Sequence, residues 1–364
     1  MARTGIRVSG NARALPAALW ECPFMRACRG LPAAHTPVWL MRQAGRYMPH
    51  YRGVRAAHGF LELCKDPALA AEVTIHARAW LGVDAAIIFS DILVVLEALG
   101  MPLSFSDGDG PVLTRPLRSA GDLDALGDPR VAAASLAYVD QAIALSVRGL
   151  PAEVPLIGFC GAPFTLAAYA IEGGASRQFA HTRALMYNHE ALWHRLCGIL
   201  VETLIPYLAG QLAAGAACVQ IFDSWVGQLT RADFSEFVAP HLTRLVAGVP
   251  AGAPVILFGT GTGHMLDLIA ACGADVIGVD SSSPLAAAWR SCGGPQAISV
   301  QGNLDPALLL GPRARLLAGA DAVLSEAAGA PGHIFNLGHG VLKQTDPEQA
   351  KALVSHVHAT TTRR

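Results

Sequence analysis

With 364 residues, 52% of them hydrophobic and only 15% charged, the chain has enough apolar material for a large core, which excludes an intrinsically disordered protein. Its formal net charge of −1 excludes the spread-out basic face that nucleic-acid phosphates require, so no nucleic-acid partner is expected. A mean hydropathy of +0.38 and two charge-free runs, residues 154–171 and 203–222, invite a membrane reading; Pro155, Gly158 and Pro163 break the first and Pro206, Gly210 and Gly215 the second, so both read as buried strand and helix.

The first thirty residues carry several arginines and one acid, Glu21, but no apolar stretch of signal-peptide length, so the expected location is the cytoplasm. The eight cysteines show no C-x-x-C spacing and imply no metal site; they read as small, buried, reduced residues.

In chain order, apolar β-branched runs occur at 36–41 ("TPVWLM"), 84–90 ("DAAIIFS"), 154–160 ("VPLIGFC"), 217–223 ("ACVQIFD"), 254–259 ("PVILFG"), 275–280 ("DVIGVD"), 297–302 ("AISVQG") and 333–338 ("HIFNLG"). Helical patterns lie between and after them at 67–81, 131–148, 189–214, 232–247 and 347–358, the last opened by "TDPEQ" with a cap residue and Pro at the first turn. Eight strands alternating with helices, and no linker, predict one α/β domain, a (β/α)8 TIM barrel, although an open doubly wound sheet has similar local patterns. "LSFSDGDGPVLTRPL" at 103–117 predicts a small rim hairpin turning at Gly108 to Gly110.

Barrels carry their reactive groups just after the strands. Those positions read Arg42, Ser90 and Asp91, Gly161, Asp223 and Ser224, "GTGTGH", Asp280 and Ser281, Asn303, and "GHG" at 338–340. In "MRQAGRYMPHYR", Arg42 and Arg46 are four apart and would face the same way on a helical turn, and no acid occurs between Arg42 and Arg55 to pair with them. A solvated surface would carry such acids, so an external carboxylate or phosphate is the better reading.

Asp91 stands alone between apolar residues and fits either a helix cap or a functional carboxylate, which would need N–H donors or nearby arginines to stay ionised. Tyr169 fits a core aromatic or a site hydroxyl, and His339, between two glycines, fits an anion donor or proton shuttle. Ser224 lacks a nucleophile elbow and reads as a hydrogen-bonding group, while "GTGTG" at 259–263 matches no phosphate-loop spacing and reads as a tight turn.

"PVWLMRQAGRYMPHYR" and "GFCGAPFTLAAYAIEGG" resemble the two signature segments of the uroporphyrinogen decarboxylase family, and the likeness continues through "DAAIIFSDILVVLEALGMPL", "IFDSWVG", "QGNLDP" and "NLGHG". The resemblance spans residues 21–360 as one barrel domain and leaves residues 1–20 as an N-terminal extension with no assigned order or role. It implies a homodimer that decarboxylates the four acetate side chains of the tetrapyrrole uroporphyrinogen III to give coproporphyrinogen III, with no metal or organic cofactor.

By the same resemblance, Asp91 accepts the pyrrole N–H groups, Arg42 and Arg46 contact substrate carboxylates with Gln43, Ala44 and Gly45 between them, and Arg55 is a lesser match. Tyr169, Ser224 and His339 correspond to substrate-contacting positions, and Arg42, Tyr169 and His339 also to parts of a proton relay. Where some family members carry a lysine after the fifth strand this chain has "GTGTG", so any anion contact there falls to backbone N–H groups. The methyltransferases of the same superfamily bind zinc through His and Cys, and the rim loops 259–264 and 338–340 contain no cysteine.

Overall fold

A computed structural model of the chain describes residues 15–106 and 110–363. Nine strands form among these, numbered along the chain: β1 (Ala86–Ile87), β2 (Leu103–Ser106), β3 (Gly110–Leu113), β4 (Leu156–Gly161), β5 (Cys218–Asp223), β6 (Val255–Gly259), β7 (Val276–Gly278), β8 (Ser299–Gln301) and β9 (His333–Ile334). All but β2 and β3 join one parallel sheet in the order β1-β4-β5-β6-β7-β8-β9, each neighbour being the next strand in sequence. This order, with helices between strands, is that of a curled α/β sheet. Every residue of β4 and β6 is buried, as expected for strands covered on both faces.

Of the eight strands expected from the sequence, seven join the sheet. Residues 36–41 form no ladder: Val38 makes one isolated parallel bridge to Phe335, Phe335 N donates to Pro37 O (2.8 Å), and Asp84 N donates to Val38 O (2.8 Å) on the other side. Pro37 has no N–H to give, and Arg42 turns to a left-handed φ of 62°, so the extended run is short at both ends.

Side chains inside the sheet also fasten this segment. Trp39 Nε1 donates to Gln301 Oε1 (2.9 Å), Gln301 Nε2 to Gln220 Oε1 (3.1 Å), and Gln220 Nε2 reaches Met41 Sδ (3.9 Å), all four residues being buried. At the opposite, N-terminal end, Asp84 accepts from Val38 N (2.7 Å) and pairs with His35 Nε2 (2.7 Å) and His358 Nε2 (2.8 Å). It thereby ties the first extended segment to the C-terminal helix Pro347–Thr361.

The predicted helix at 67–81 is present as Pro67–Leu81, capped by Asp66 Oδ1 on Ala68 N and Leu69 N and ended by Gly82 at φ 71°. That at 131–148 is instead two helices, Pro129–Ser135 and Ala137–Gly149, separated at Leu136, and that at 232–247 opens with the α turn Arg231–Asp233 and a π turn, Phe234–Val238, ahead of Ala239–Gly248. The helix Glu190–Ala214 is long and apolar enough to cross a membrane by length and composition, yet it buries Trp193, Leu200, Leu204 and Leu208 in the core. The hairpin β2–β3 pairs Leu103 with Leu113 and Ser106 with Gly110; its tip, residues 107–109, lies outside the described residues. Of the expected extension, residues 1–14 also lie outside them, while Ala17–Glu21 is helical with Leu19 buried.

Candidate active site

The parallel order brings the C-terminal strand ends to one rim. Residues 41–48 there are turns and bends, so Arg42 and Arg46 do not share the helical turn expected from their spacing. Gly45 permits the bend, since a Cβ there would lie 2.9 Å from Arg42 O. Gln43 is buried, with its amide committed to Leu40 N (3.2 Å) and Ala85 O (3.2 Å), whereas Ala44 is half-buried and both arginines are exposed. Arg52 donates to the carbonyls of Arg46 (3.1 Å) and Tyr47 (2.7 Å) and so braces this loop. Arg55 turns to His58 O and lies over the Phe60 ring.

The Arg42 loop is stapled to the last rim loop. Met41 N donates to Asn336 Oδ1 (3.0 Å) and Val341 N to Met41 O (2.9 Å), which sets Arg42 beside His339 and Gly340. His339 Nδ1 accepts from Gly340 N (2.8 Å), so the neutral ring carries its proton on the exposed Nε2. Desolvation of the ring, and next the charge of Arg42, lower its pKa and favour that neutral donor.

Asp91 follows β1 and is half-buried, its Oδ1 accepting from Leu93 N (2.8 Å) ahead of the helix Val94–Ala98. One oxygen closes a turn two residues long rather than capping the helix, whose N-cap is Leu93, and the other takes no hydrogen bond from the described residues. Burial raises its pKa, while the Leu93 N–H and the Arg42 guanidinium favour the ionised form.

Tyr169 sits on the helix Pro163–Glu172 after β4, its pKa pushed up to about 12 by burial and by the Asp91 charge, with Arg42 opposing. It is thus a neutral hydroxyl within electrostatic reach of both. Its ring lies against Trp225, centroids 3.9 Å apart at 30°. Trp225 and the half-buried Ser224 follow β5, and the Ser224 carbonyl accepts from the Thr260 hydroxyl. Trp225 went unnoticed in the sequence; its place directly after Ser224 was the available signal.

"GTGTG" is a turn tied to its neighbour, since Gly261 N donates to Asp280 Oδ2 and is spent on that contact. Asp280 in turn holds Ser282 through N (2.9 Å) and Oγ (2.6 Å). All eight cysteines are buried. Among the described residues, His35, Asp84 and His358 are the group near enough to share a metal ion, but they lie at the far end of the sheet and their hydrogen bonds already pair them.

An arginine, an isolated carboxylate, a tyrosine and a histidine thus stand at the strand ends of a curled parallel sheet, the place where α/β enzymes carry their reactive groups. A family model described as uroporphyrinogen decarboxylase matches residues 21–360. Proteins named uroporphyrinogen decarboxylase from Salinispora tropica and Myxococcus xanthus are 47% and 50% identical to this chain, over 99% and 92% of it and 95% of each relative. The chain belongs to the uroporphyrinogen decarboxylase family, a family of carboxy-lyases. In fold it is also similar to a methyltransferase from Methanosarcina mazei, with a TM-score of 0.78 at 20% identity over 94% of this chain and 99% of the other.

Proposed function

We propose that this chain decarboxylates the four acetate side chains of uroporphyrinogen III to give coproporphyrinogen III, acting as a cytoplasmic homodimer in tetrapyrrole synthesis. The observation that carries the reading is Asp91, a half-buried carboxylate kept ionisable by Leu93 N–H and by the charge of Arg42, on the same rim as Arg42 and His339.

Loss of carbon dioxide from an acetate leaves an electron pair on the methylene carbon, so the reaction needs an electron sink. Protonating the adjacent α carbon, next to the ring carbon that bears the acetate, makes the ring itself that sink: positive charge spreads between the acetate-bearing carbon and the ring nitrogen, and the released electron pair forms a double bond from the methylene carbon to the ring. Asp91 accepts the pyrrole N–H groups and stabilises that cation more than the neutral substrate, which is the differential binding that accelerates a reaction. A preorganised charge of this kind contributes roughly 3–4 kcal/mol to the barrier. After carbon dioxide leaves, a proton added to the methylene carbon gives the methyl group, and deprotonation of the ring carbon restores the pyrrole.

Arg42 and Arg46 take the outward-pointing carboxylates. The backbone of Gln43, Ala44 and Gly45 shapes the bend between the two guanidiniums. Tyr169, Ser224 and the Nε2–H of His339 are neutral donors that orient the acetates and order water for proton delivery; a guanidinium is too weak an acid, with a pKa above about 12, to supply the proton unaided.

The test is incubation with enzymatically generated uroporphyrinogen, followed by chromatography of the oxidised products. Stepwise appearance of species with fewer carboxylates, ending with four, is expected. Recovery of the octacarboxylate alone would overturn the reading, and sedimentation of the same sample as a monomer would overturn the dimer.

A further inference from the structure

Asp223 is the last residue of β5 and is 2% exposed, yet the reaction as derived above gives it no task. Its Oδ1 accepts from the Thr165 hydroxyl (2.6 Å), and the same Thr165 oxygen accepts from Trp225 N (3.3 Å). Thr165 is fully buried on the helix Pro163–Glu172, one turn before Tyr169, so both point from the same side of that helix. Trp225 closes the circuit by lying against the Tyr169 ring.

The backbone leaves this work to the side chains. β4 and β5 pair up to Gly161 and Phe222, and Ala162 N donates to Phe222 O (2.8 Å); beyond that point the two chains separate into a helix and a loop. Asp223 and Thr165 are the polar link between them. The other oxygen, Asp223 Oδ2, is buried with no hydrogen-bond partner among the described residues, against an apolar gap lined by Val226, Phe234, Leu242, Leu257 and Ile269 that is too narrow for a water. Burying a carboxyl half-satisfied costs stability. The oxygen that is satisfied is the one that fixes the helix to the loop.

We propose that Asp223, acting through Thr165, is a positioning residue for the reaction: it sets the Tyr169 hydroxyl and the Ser224–Trp225 loop in register with each other and with Asp91 across the rim. This rests on the reading that Tyr169 contacts the substrate. A loose helix would let the hydroxyl drift, and misplacement by about 1 Å costs on the order of a hundredfold in rate.

A double-mutant cycle tests it, with kcat, KM and product distribution measured on uroporphyrinogen for Thr165→Val, Tyr169→Phe and the pair. Thr165→Val removes the hydroxyl at constant shape and should lower kcat about tenfold, with partly decarboxylated products accumulating, while Thr165→Ser should restore turnover. In the Tyr169→Phe background the same change should cost only about threefold, because the part of its effect that passes through the tyrosine hydroxyl is gone and the part that passes through the Ser224–Trp225 loop is left. Asp223→Asn keeps the acceptor and should remain within about threefold of the unaltered chain, whereas Asp223→Leu should resemble Thr165→Val; this pair carries the test if Thr165→Val does not fold. Equal losses from Thr165→Val with and without Tyr169 would overturn the proposal and leave the Tyr169 contact standing. A silent Tyr169→Phe would overturn both.

Discussion

The side chain of Arg42 occupies the space beside Gly340: a Cβ at residue 340 would lie 2.7 Å from Arg42 Cγ and 3.0 Å from its Nε. The first rim loop and the last are thus fitted to each other at the one glycine where an arginine must pass. Gly340→Ala should push the guanidinium away from Asp91 and lower kcat/KM by about a hundredfold, with little change in the urea midpoint. Steady-state kinetics and equilibrium unfolding of the same preparation check it, and unchanged kinetics would mean that Arg42 has room to move.

Asp91→Asn isolates charge from shape. The amide oxygen can still accept from Leu93 N, so the turn survives, but the stabilisation of a ring cation is lost. Turnover should fall by about a thousandfold or more with the melting temperature preserved. Asp91→Ala should lose turnover too and in addition about 1 kcal/mol of stability from the missing hydrogen bond to Leu93 N. Near-normal turnover in Asp91→Asn would rule out the electrostatic role.

Arg46 is exposed and, among the described residues, is hydrogen-bonded through its backbone carbonyl by Arg52, so its substitution leaves the fold alone. Arg46→Ala should raise KM about tenfold and let partly decarboxylated products accumulate, since each successive acetate must be presented in turn. Chromatography of a time course distinguishes this from a uniform loss of rate.

Asp84 and acid stability are linked with a definite sign. Burial works against its ionisation, but hydrogen bonds from His35 and His358 outweigh that and hold the carboxyl below its ordinary value. A depressed folded pKa gives stabilisation that is complete above the unfolded value of about 4 and vanishes as pH falls through the folded value. Asp84→Asn should therefore cost about 1–3 kcal/mol near neutral pH, with the gap to the unaltered chain closing below about pH 4. Urea unfolding across that range measures it.

Asp223 should show the opposite slope. Burial, against the opposing Thr165 hydrogen bond, pushes its carboxyl up to about 7. A raised carboxyl pKa means that stability is lost as pH climbs from the unfolded value to the folded one, between about 4 and 7, and by roughly 4 kcal/mol. Asp223→Asn should flatten that part of the stability curve. A parallel pH dependence in both proteins would show that the carboxyl does not titrate in this window.

Much of the scaffold was legible because its elements are locally consistent. Pro67–Leu81 has its cap, its first-turn proline and its terminal glycine, and seven of the eight apolar runs became sheet strands. The run at 36–41 did not, because pairing there depends on residues near 335 that local composition cannot weigh. The ordering of strand ends named Arg42, Asp91, Ser224 and His339 as rim positions, but not how they meet. Arg42 beside Gly340, and Thr165 against Asp223, are contacts between repeats, set by side-chain shape and single hydrogen bonds with no periodic trace. The helical turn assumed for Arg42 and Arg46 failed at a φ of 62°, a conformation that no residue type there announces.

The buried chain from Trp39 through Gln301 and Gln220 to Met41 takes over a task that ladder hydrogen bonds perform elsewhere in the sheet. Trp39 and Met41 are two apart and face the same way, and a slip of one residue would turn both outward and carry Arg42 with them. The alignment of the arginine-bearing segment is therefore written in indole, amide and thioether groups, like the teeth of a key. A change deep in the interior, at a residue as buried as Gln301, can mis-aim the rim while the backbone ladder of β8 stays whole.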